Sequence, residues 1–275
     1  MTLVQPTLHL ASICGQLHPK TRFKRVVGGS NIDIADSPWS ALFNMGNRRK
    51  PYQGQCSATI LSENFLLTAA HCFAKADEQF SRVFAGITVV DRFNLEQIDD
   101  YNIFQVSKFI QSPDYSPKTG NNDIGLINIF EKMNFNGFLS PVCLPKTGSK
   151  LLITGDVLRM NGWGATRCNK RQKCTGFSRS LKEVEVPVHD SEKCMWKYMF
   201  YRIDLDSQIC VGDGVSGRDG CDGDSGAGLY HEIDGKSFVY AVHSWSRTCG
   251  KLGFPSVNVR VIPHVDWIES VVFSE

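Results

Sequence analysis

The chain has no apolar run approaching the roughly 20 residues that a bilayer-spanning helix needs, so no membrane-spanning segment is expected. It has almost no net charge: 30 basic against 28 acidic side chains leave +2. That balance offers no field for nucleic acid or a membrane surface, and neither is expected as a partner. It lacks Cys-x-x-Cys and His-Glu-x-x-His, the spacings by which short motifs hold zinc, so no metal is expected. It lacks internal repeats and low-complexity tracts, which excludes solenoids and biased linkers. What it has in excess is cysteine, ten in 275 residues. An even, high count without metal spacing reads as a disulfide framework built in an oxidising compartment. Spacing alone does not choose among the many possible pairings.

Such a length makes one large domain or two small ones and buries a core of its own. Short apolar runs, such as Phe65-Leu66-Leu67-Thr68, Ile124-Gly125-Leu126-Ile127-Asn128-Ile129 and Phe238-Val239-Tyr240-Ala241-Val242, are separated by Gly, Asn, Asp and Pro clusters. This punctuation predicts many short strands in sandwiches or barrels.

Three segments carry chemistry. In Gly220-Cys221-Asp222-Gly223-Asp224-Ser225-Gly226 a serine sits between small residues that let a tight turn present its hydroxyl and aim backbone N–H groups beside it. Leu67-Thr68-Ala69-Ala70-His71-Cys72 sets a histidine among small apolar residues, and Asn121-Asn122-Asp123-Ile124 leads an aspartate into a strand-like run. Taken singly they read as a turn, a packed histidine and a strand cap. A serine nucleophile, however, needs a base to take its proton and an acid to hold that base in the right tautomer.

Together, in the order His, Asp, Ser, the segments resemble the trypsin/chymotrypsin family of serine proteases. The resemblance runs from about Arg25 to the C-terminus. Arg25-Val26-Val27-Gly28-Gly29 looks like the family's activation junction, Gly162-Trp163-Gly164 like its mid-chain landmark, and Ser244-Trp245 like the segment that pairs with substrate backbone. Ile262-Pro263-His264-Val265-Asp266-Trp267-Ile268 looks like its closing helix, with Val265, Ile268 and Val272 on one face. The resemblance implies an all-β fold: two antiparallel β-barrels with a C-terminal helix and the active site in the cleft between them. Residues 1–25 would be a pro-segment and 26–275 the protease domain, with the connection between barrels near 134–144. Ser225 would be the nucleophile, His71 the general base and acid, Asp123 its orienting partner, and the N–H groups of Gly223 and Ser225 the oxyanion hole. No cofactor is implied. Family calcium sites place a carboxylate where Ile87 stands.

Cleavage after Arg25 would free the amino group of Val26 to pair with Asp224. The basic cluster Arg22-Phe23-Lys24-Arg25 suits an activating protease of the trypsin-like or furin-like kind. The resemblance pairs Cys56 with Cys72, Cys194 with Cys210, Cys221 with Cys249, and Cys14 with Cys143, the last tethering the pro-segment. Cys168 and Cys174 are left over, close enough in one loop to close a small ring. Met1 to Ile13 is a poor signal peptide, yet cysteine count and zymogen pattern imply a secreted, extracellular protein.

Asp219, six residues before Ser225, would lie at the base of the specificity pocket and select Arg or Lys. The other pocket residues, His243, Ser244, Trp245, Ser246 and Ser256, include departures. Ser246 and Ser256 stand where glycines usually line the passage, and His243 replaces a small apolar residue and could pair with Asp219. Two readings stand: a secreted endopeptidase for basic P1 residues, and a catalytically weak or inactive protease-fold binding protein with an occluded pocket. Expected partners are protein or peptide substrates, the activating protease and a macromolecular inhibitor. An anionic partner would meet the basic loops at Arg48-Arg49-Lys50 and at Arg167, Lys170, Arg171 and Lys173.

Overall fold

The computed structural model describes residues 12–17, 29–90, 102–168, 174–201, 203–212, 220–247 and 254–273. Arg25, Val26, Asp219, Cys249, Lys170, Arg171 and Lys173 lie outside the described residues, as do the side chains of Arg167 and Cys168.

After the two-residue strand β1 (Ser30–Asn31), six strands fill the first half: β2 (Ser40–Asn47), β3 (Lys50–Ile60), β4 (Phe65–Thr68), β5 (Arg82–Ala85), β6 (Ile103–Gln111) and β7 (Gly125–Ile129). They close an antiparallel barrel in the order β2-β3-β4-β7-β6-β5. The apolar run at 124–129 forms its wall, with Leu126, Ile127 and Ile129 buried beside Leu66 and Leu67 of β4. Closure leaves this barrel without free strand edges.

The second half holds β8 (Val157–Gly162), the hairpin β9 (Ala165–Cys168) and β10 (Cys174–Phe177), β11 (Lys182–Pro187), β12 (Gln208–Val211), β13 (Gly228–Ile233), β14 (Lys236–Trp245) and β15 (Ser256–Arg260). Seven strands form one sheet in the order β1-β11-β8-β13-β14-β15-β12. Among the described residues its far edges meet at the bridge between Val188 and Val211. There the N–H of His189 donates to Cys210 O at 2.9 Å and that of Gly212 to Pro187 O at 2.8 Å. The fold is therefore one closed barrel and one curled seven-stranded sheet whose edges meet, in keeping with the all-β, two-barrel expectation. After β11 the chain enters a helix at Ser191–Lys197, capped by the Asp190 side chain on the Lys193 N–H.

The C-terminal helix, Val265–Val272, buries Val265, Ile268 and Val272. Each such burial contributes about 1.5–3 kcal/mol. Pro263 sits in the 3₁₀ turn Ile262–His264 that precedes it. Among the described residues no helix is long and apolar enough to cross a membrane.

The halves join through polar contacts that position the site. Thr59 Oγ1 and Tyr230 OH bond at 3.0 Å, Gln55 Nε2 donates to Trp163 O at 3.0 Å, and the Ser57 N–H donates to Ser225 O at 2.7 Å.

Candidate active site

His71 lies in the 3₁₀ turn Ala70–Phe73 that follows β4, and Asp123 stands two residues before β7. Because β4 and β7 are paired neighbours, their ends bring the two side chains together. His71 Nδ1 lies 2.7 Å from Asp123 Oδ2, and the His71 N–H donates to Asp123 Oδ1 at 2.8 Å. Ser244 Oγ donates to Asp123 Oδ2 at 2.6 Å. Burial alone would push the Asp123 carboxyl up; the bonds from His71 and Ser244 outweigh it and hold the group below its ordinary value. An ionised carboxylate only accepts, so Nδ1 carries the hydrogen and His71 Nε2 offers its lone pair.

Ser225 opens into the same cleft, of about 420 Å³, which His71, Asp123, Tyr115, His243, Ser244 and Trp245 also line. Among the described residues no hydrogen bond joins Ser225 Oγ to His71 Nε2; such contacts tighten when substrate arrives. The nucleophile turn is held from both sides. The Gly226 N–H donates to His243 O at 2.8 Å, and Ser57 Oγ donates to Gly223 O at 3.3 Å. Neither the Gly223 nor the Ser225 N–H has a protein acceptor among the described residues. Gly223 has φ +92°, and a Cβ there would stand 2.7 Å from Gln55 Nε2, so this position requires glycine.

Asp224 turns the other way. Its carboxylate accepts from the Gly164 N–H at 2.8 Å and the Cys221 N–H at 3.1 Å. A Cβ on Gly162 or Gly164 would collide with it, which explains the Gly-Trp-Gly landmark in physical terms.

A serine, a histidine and a buried aspartate thus share one cleft with two undirected N–H donors. The trypsin family model matches residues 26–268. The chain belongs to the trypsin family of serine proteases. It is 28% identical to the CLIP domain-containing serine protease B14 of Anopheles gambiae, over 90% of this chain and 72% of that protein. It is 31% identical to the hepatocyte growth factor activator serine protease of Mus musculus, over 93% of this chain and 38% of that protein. It is 28% identical to phenoloxidase-activating factor 3 of Holotrichia diomphalia, over 90% of this chain and 72% of that protein. This chain thus spans well under half the length of the mouse relative. Membership of this family implies protein or peptide substrates.

Within this trypsin-family fold, Trp245 and Ser246 line the cleft, but Ser256 is fully buried and is not among the described residues that line it. Ser256 instead supports His243 through Asn258. Asn258 Nδ2 donates to Ile209 O at 3.3 Å and to Ser256 O and Oγ at 3.2 Å each. With its amide nitrogen so committed, Asn258 turns Oδ1 to His243 Nδ1 at 2.9 Å. His243 Nδ1 must then donate, and Nε2 keeps the lone pair. Burial pushes the His243 pKa down to about 4, so the ring is neutral at physiological pH. Its edge packs against Gly220, where a Cβ would come within 2.7 Å of Nε2. His243 therefore has Asn258 as its bonded partner; Asp219 lies outside the described residues.

Disulfides join Cys14 to Cys143, Cys56 to Cys72, and Cys194 to Cys210. Cys174 and Cys221 are also disulfide-bonded. The β9–β10 register sets the Cys168 and Cys174 backbones opposite each other. Cys56, Cys72 and His71 cluster at metal-like spacing, but the bridged sulfurs offer no thiolate, so the cluster is no metal site. Arg48 and Arg49 form the exposed tip of the β2–β3 hairpin.

Sequence reasoning missed two contributors. The Ser244 hydroxyl supports Asp123 from β14, 121 residues away in sequence. Tyr115 lines the cleft with its hydroxyl pKa pushed to about 12 by burial and the Asp123 charge. Its one signal is its place in the short loop between β6 and Asp123.

Proposed function

We propose that the chain is a secreted serine endopeptidase, made as a zymogen, activated by cleavage after Arg25, and cutting after Arg or Lys. The observation that carries this reading is the Asp123 carboxylate, buried and triply hydrogen-bonded, holding His71 in the cleft that Ser225 lines. Ser225 Oγ attacks the scissile carbonyl carbon while His71 Nε2 takes its proton. The carbonyl oxygen becomes an oxyanion bound by the Gly223 and Ser225 N–H groups, each worth about 3 kcal/mol in the transition state. His71 passes the proton to the leaving nitrogen as the C–N bond breaks. Water then attacks the acyl-enzyme, giving a proton to His71, and Ser225 recovers its own.

Residues 1–25 act as the pro-segment and 26–275 as the protease. The Cys14–Cys143 disulfide supports a two-chain mature protein, because it ties the body to a residue N-terminal to the proposed cut. After cleavage at Arg25, a non-reducing gel should show one band, and reductant should release a short chain. Release without reductant would refute the tether.

The preference for basic P1 residues follows the expected role of Asp219, six residues before Ser225, at the base of the specificity pocket. Peptides differing only at P1 should be cut after Lys or Arg at least about 10²-fold faster than after norleucine, with the Ser225→Ala protein as blank. Turnover confined to Gln would keep the enzyme and replace a cation with a neutral donor. Ser246 at the cleft and the His243 ring against Gly220 favour a second reading, an occluded binding protein. No turnover at any P1, with the cut verified, would select it.

A further inference from the structure

The turn that holds the proposed oxyanion hole is fixed peptide by peptide. The Asp224 N–H donates to Cys221 O at 2.9 Å, and Gly223 O accepts from Ser57 Oγ at 3.3 Å. Asp224 O accepts from the Ala227 N–H at 2.8 Å, a bond within the turn that orients the peptide carrying the Ser225 N–H. The Gly223 N–H is held differently. The carbonyl of its peptide, Asp222 O, accepts from the Ala165 N–H at 2.8 Å, and Ala165 belongs to the β9–β10 hairpin. Gly223 itself, at φ +92°, supplies no local restraint, because glycine takes either sign of φ at little cost. A rotation of this one peptide would take the N–H out of the cleft and turn a carbonyl into it.

The hairpin reaches the turn at two further places. Phe177 is the register partner of Ala165 across the hairpin. Its ring lies against Gly223, where a Cβ would stand 2.8 Å from Cε1 and 3.1 Å from Cδ1. Gln55 closes the same face of Gly223, with its Nε2 committed to Trp163 O at 3.0 Å. Nearby, Cys174 Sγ lies 3.6 Å from Cys221 Sγ, a contact between two bridged cysteines. Phe177 is 36% exposed, so core packing is not what places its ring there.

We propose that Phe177 is a positioning residue for the oxyanion hole. Its ring seats the β9–β10 hairpin on Gly223, which keeps the Ala165 N–H on Asp222 O and the Gly223 N–H aimed into the cleft. The inference rests on the endopeptidase reading. It places the loss on removing the ring where negative charge develops, not where substrate binds. An exposed ring also suits contact with substrate residues beyond the scissile bond, so the test uses a substrate that has none.

After cleavage at Arg25, kcat and KM are measured on a peptide p-nitroanilide ending in the best P1 residue, arginine by default. Active sites are counted by complete labelling with a fluorophosphonate, so that an unfolded fraction does not enter kcat. The same peptide is made as a trifluoromethyl ketone and as the corresponding alcohol. Ser225 Oγ adds to the ketone carbon, its proton passes to His71, and the carbonyl oxygen becomes an anion facing the Gly223 and Ser225 N–H groups; the alcohol forms no such anion. Phe177→Ala should lower kcat about tenfold and weaken ketone binding by the same factor, with KM and alcohol binding unchanged. Phe177→Tyr keeps the ring and should stay within about twofold of the parent protein. A loss in KM alone, equal weakening of ketone and alcohol, no loss, or a loss in Phe177→Tyr as large as in Phe177→Ala would overturn the inference and leave the endopeptidase reading standing. If the parent protein cuts nothing and holds the ketone no tighter than the alcohol, that reading falls and this inference with it. If it cuts nothing yet prefers the ketone, the ketone comparison alone decides for or against Phe177.

Discussion

Asp123→Asn should lower kcat about 10⁴-fold, and Ser225→Ala about 10⁶-fold, with the double variant no worse than Ser225→Ala. The sizes follow from what each atom does. Asp123 accepts three donors at once: the His71 N–H, His71 Nδ1–H and the Ser244 hydroxyl. An amide has one accepting atom, so asparagine turns an NH₂ toward at least one of these donors. The imidazole then escapes by moving its hydrogen to Nε2, and the lone pair that should receive the Ser225 proton is gone. Removing the hydroxyl removes the nucleophile itself. It leaves the backbone N–H groups of Gly223 and of position 225 to polarise a bound carbonyl, which is why activity above water persists. Non-additivity is the sharper readout, because residues acting as one unit fail together. The measurement is kcat on a P1-matched peptide amide after cleavage at Arg25. A loss below tenfold for Asp123→Asn, or strict additivity, would take Asp123 out of the proposed triad.

The positions brought together here were legible because each sits in a segment whose local sequence is itself constrained. His71 follows an apolar run that becomes β4, Asp123 precedes one that becomes β7, and Ser225 lies between glycines in a turn. The helix face of Val265, Ile268 and Val272 was visible for the same reason: a periodicity is a local property. What was not legible depends on register and on approach across the fold. His243 and Asn258 are direct cross-strand partners between β14 and β15, and nothing near either residue announces the pairing. Ser244 reads as a substrate-pairing position, yet its hydroxyl serves Asp123 on the other half of the molecule. The second half reads as a barrel by resemblance, and the place where its edges meet, at Val188 and Val211, is set by long-range register. Ser256 reads as a pocket wall, whereas its hydroxyl faces back toward Asn258 and Val211.

The His243 arrangement makes stability depend on pH in a defined window. In the folded protein burial lowers its pKa to about 4 from 6.5, so between those values the unfolded chain binds a proton that the folded chain refuses. Stability is therefore fully present above pH 6.5, falls as pH drops toward 4, and loses nothing more from this group below that. The total is about 3 kcal/mol. His189 and His264 are also held down by burial and act in the same direction. Asp123 acts elsewhere: its lowered carboxyl costs stability only at pH values below the ordinary range for an aspartate. The His243 contribution is isolated by difference. His243→Gln keeps a donor for Asn258 Oδ1 and removes the titration. In the Ser225→Ala background, which prevents self-digestion, unfolding by urea is followed with disulfides intact. The protein with His243 should lose stability more steeply between about pH 6.5 and 4.5 than the His243→Gln variant. Equal slopes would mean that His243 is not held neutral by burial. The same refusal of a proton keeps Nε2 an acceptor from about pH 5 upward. In His243→Gln the part of the stability slope that this ring contributes should disappear, leaving the parts contributed by His189 and His264.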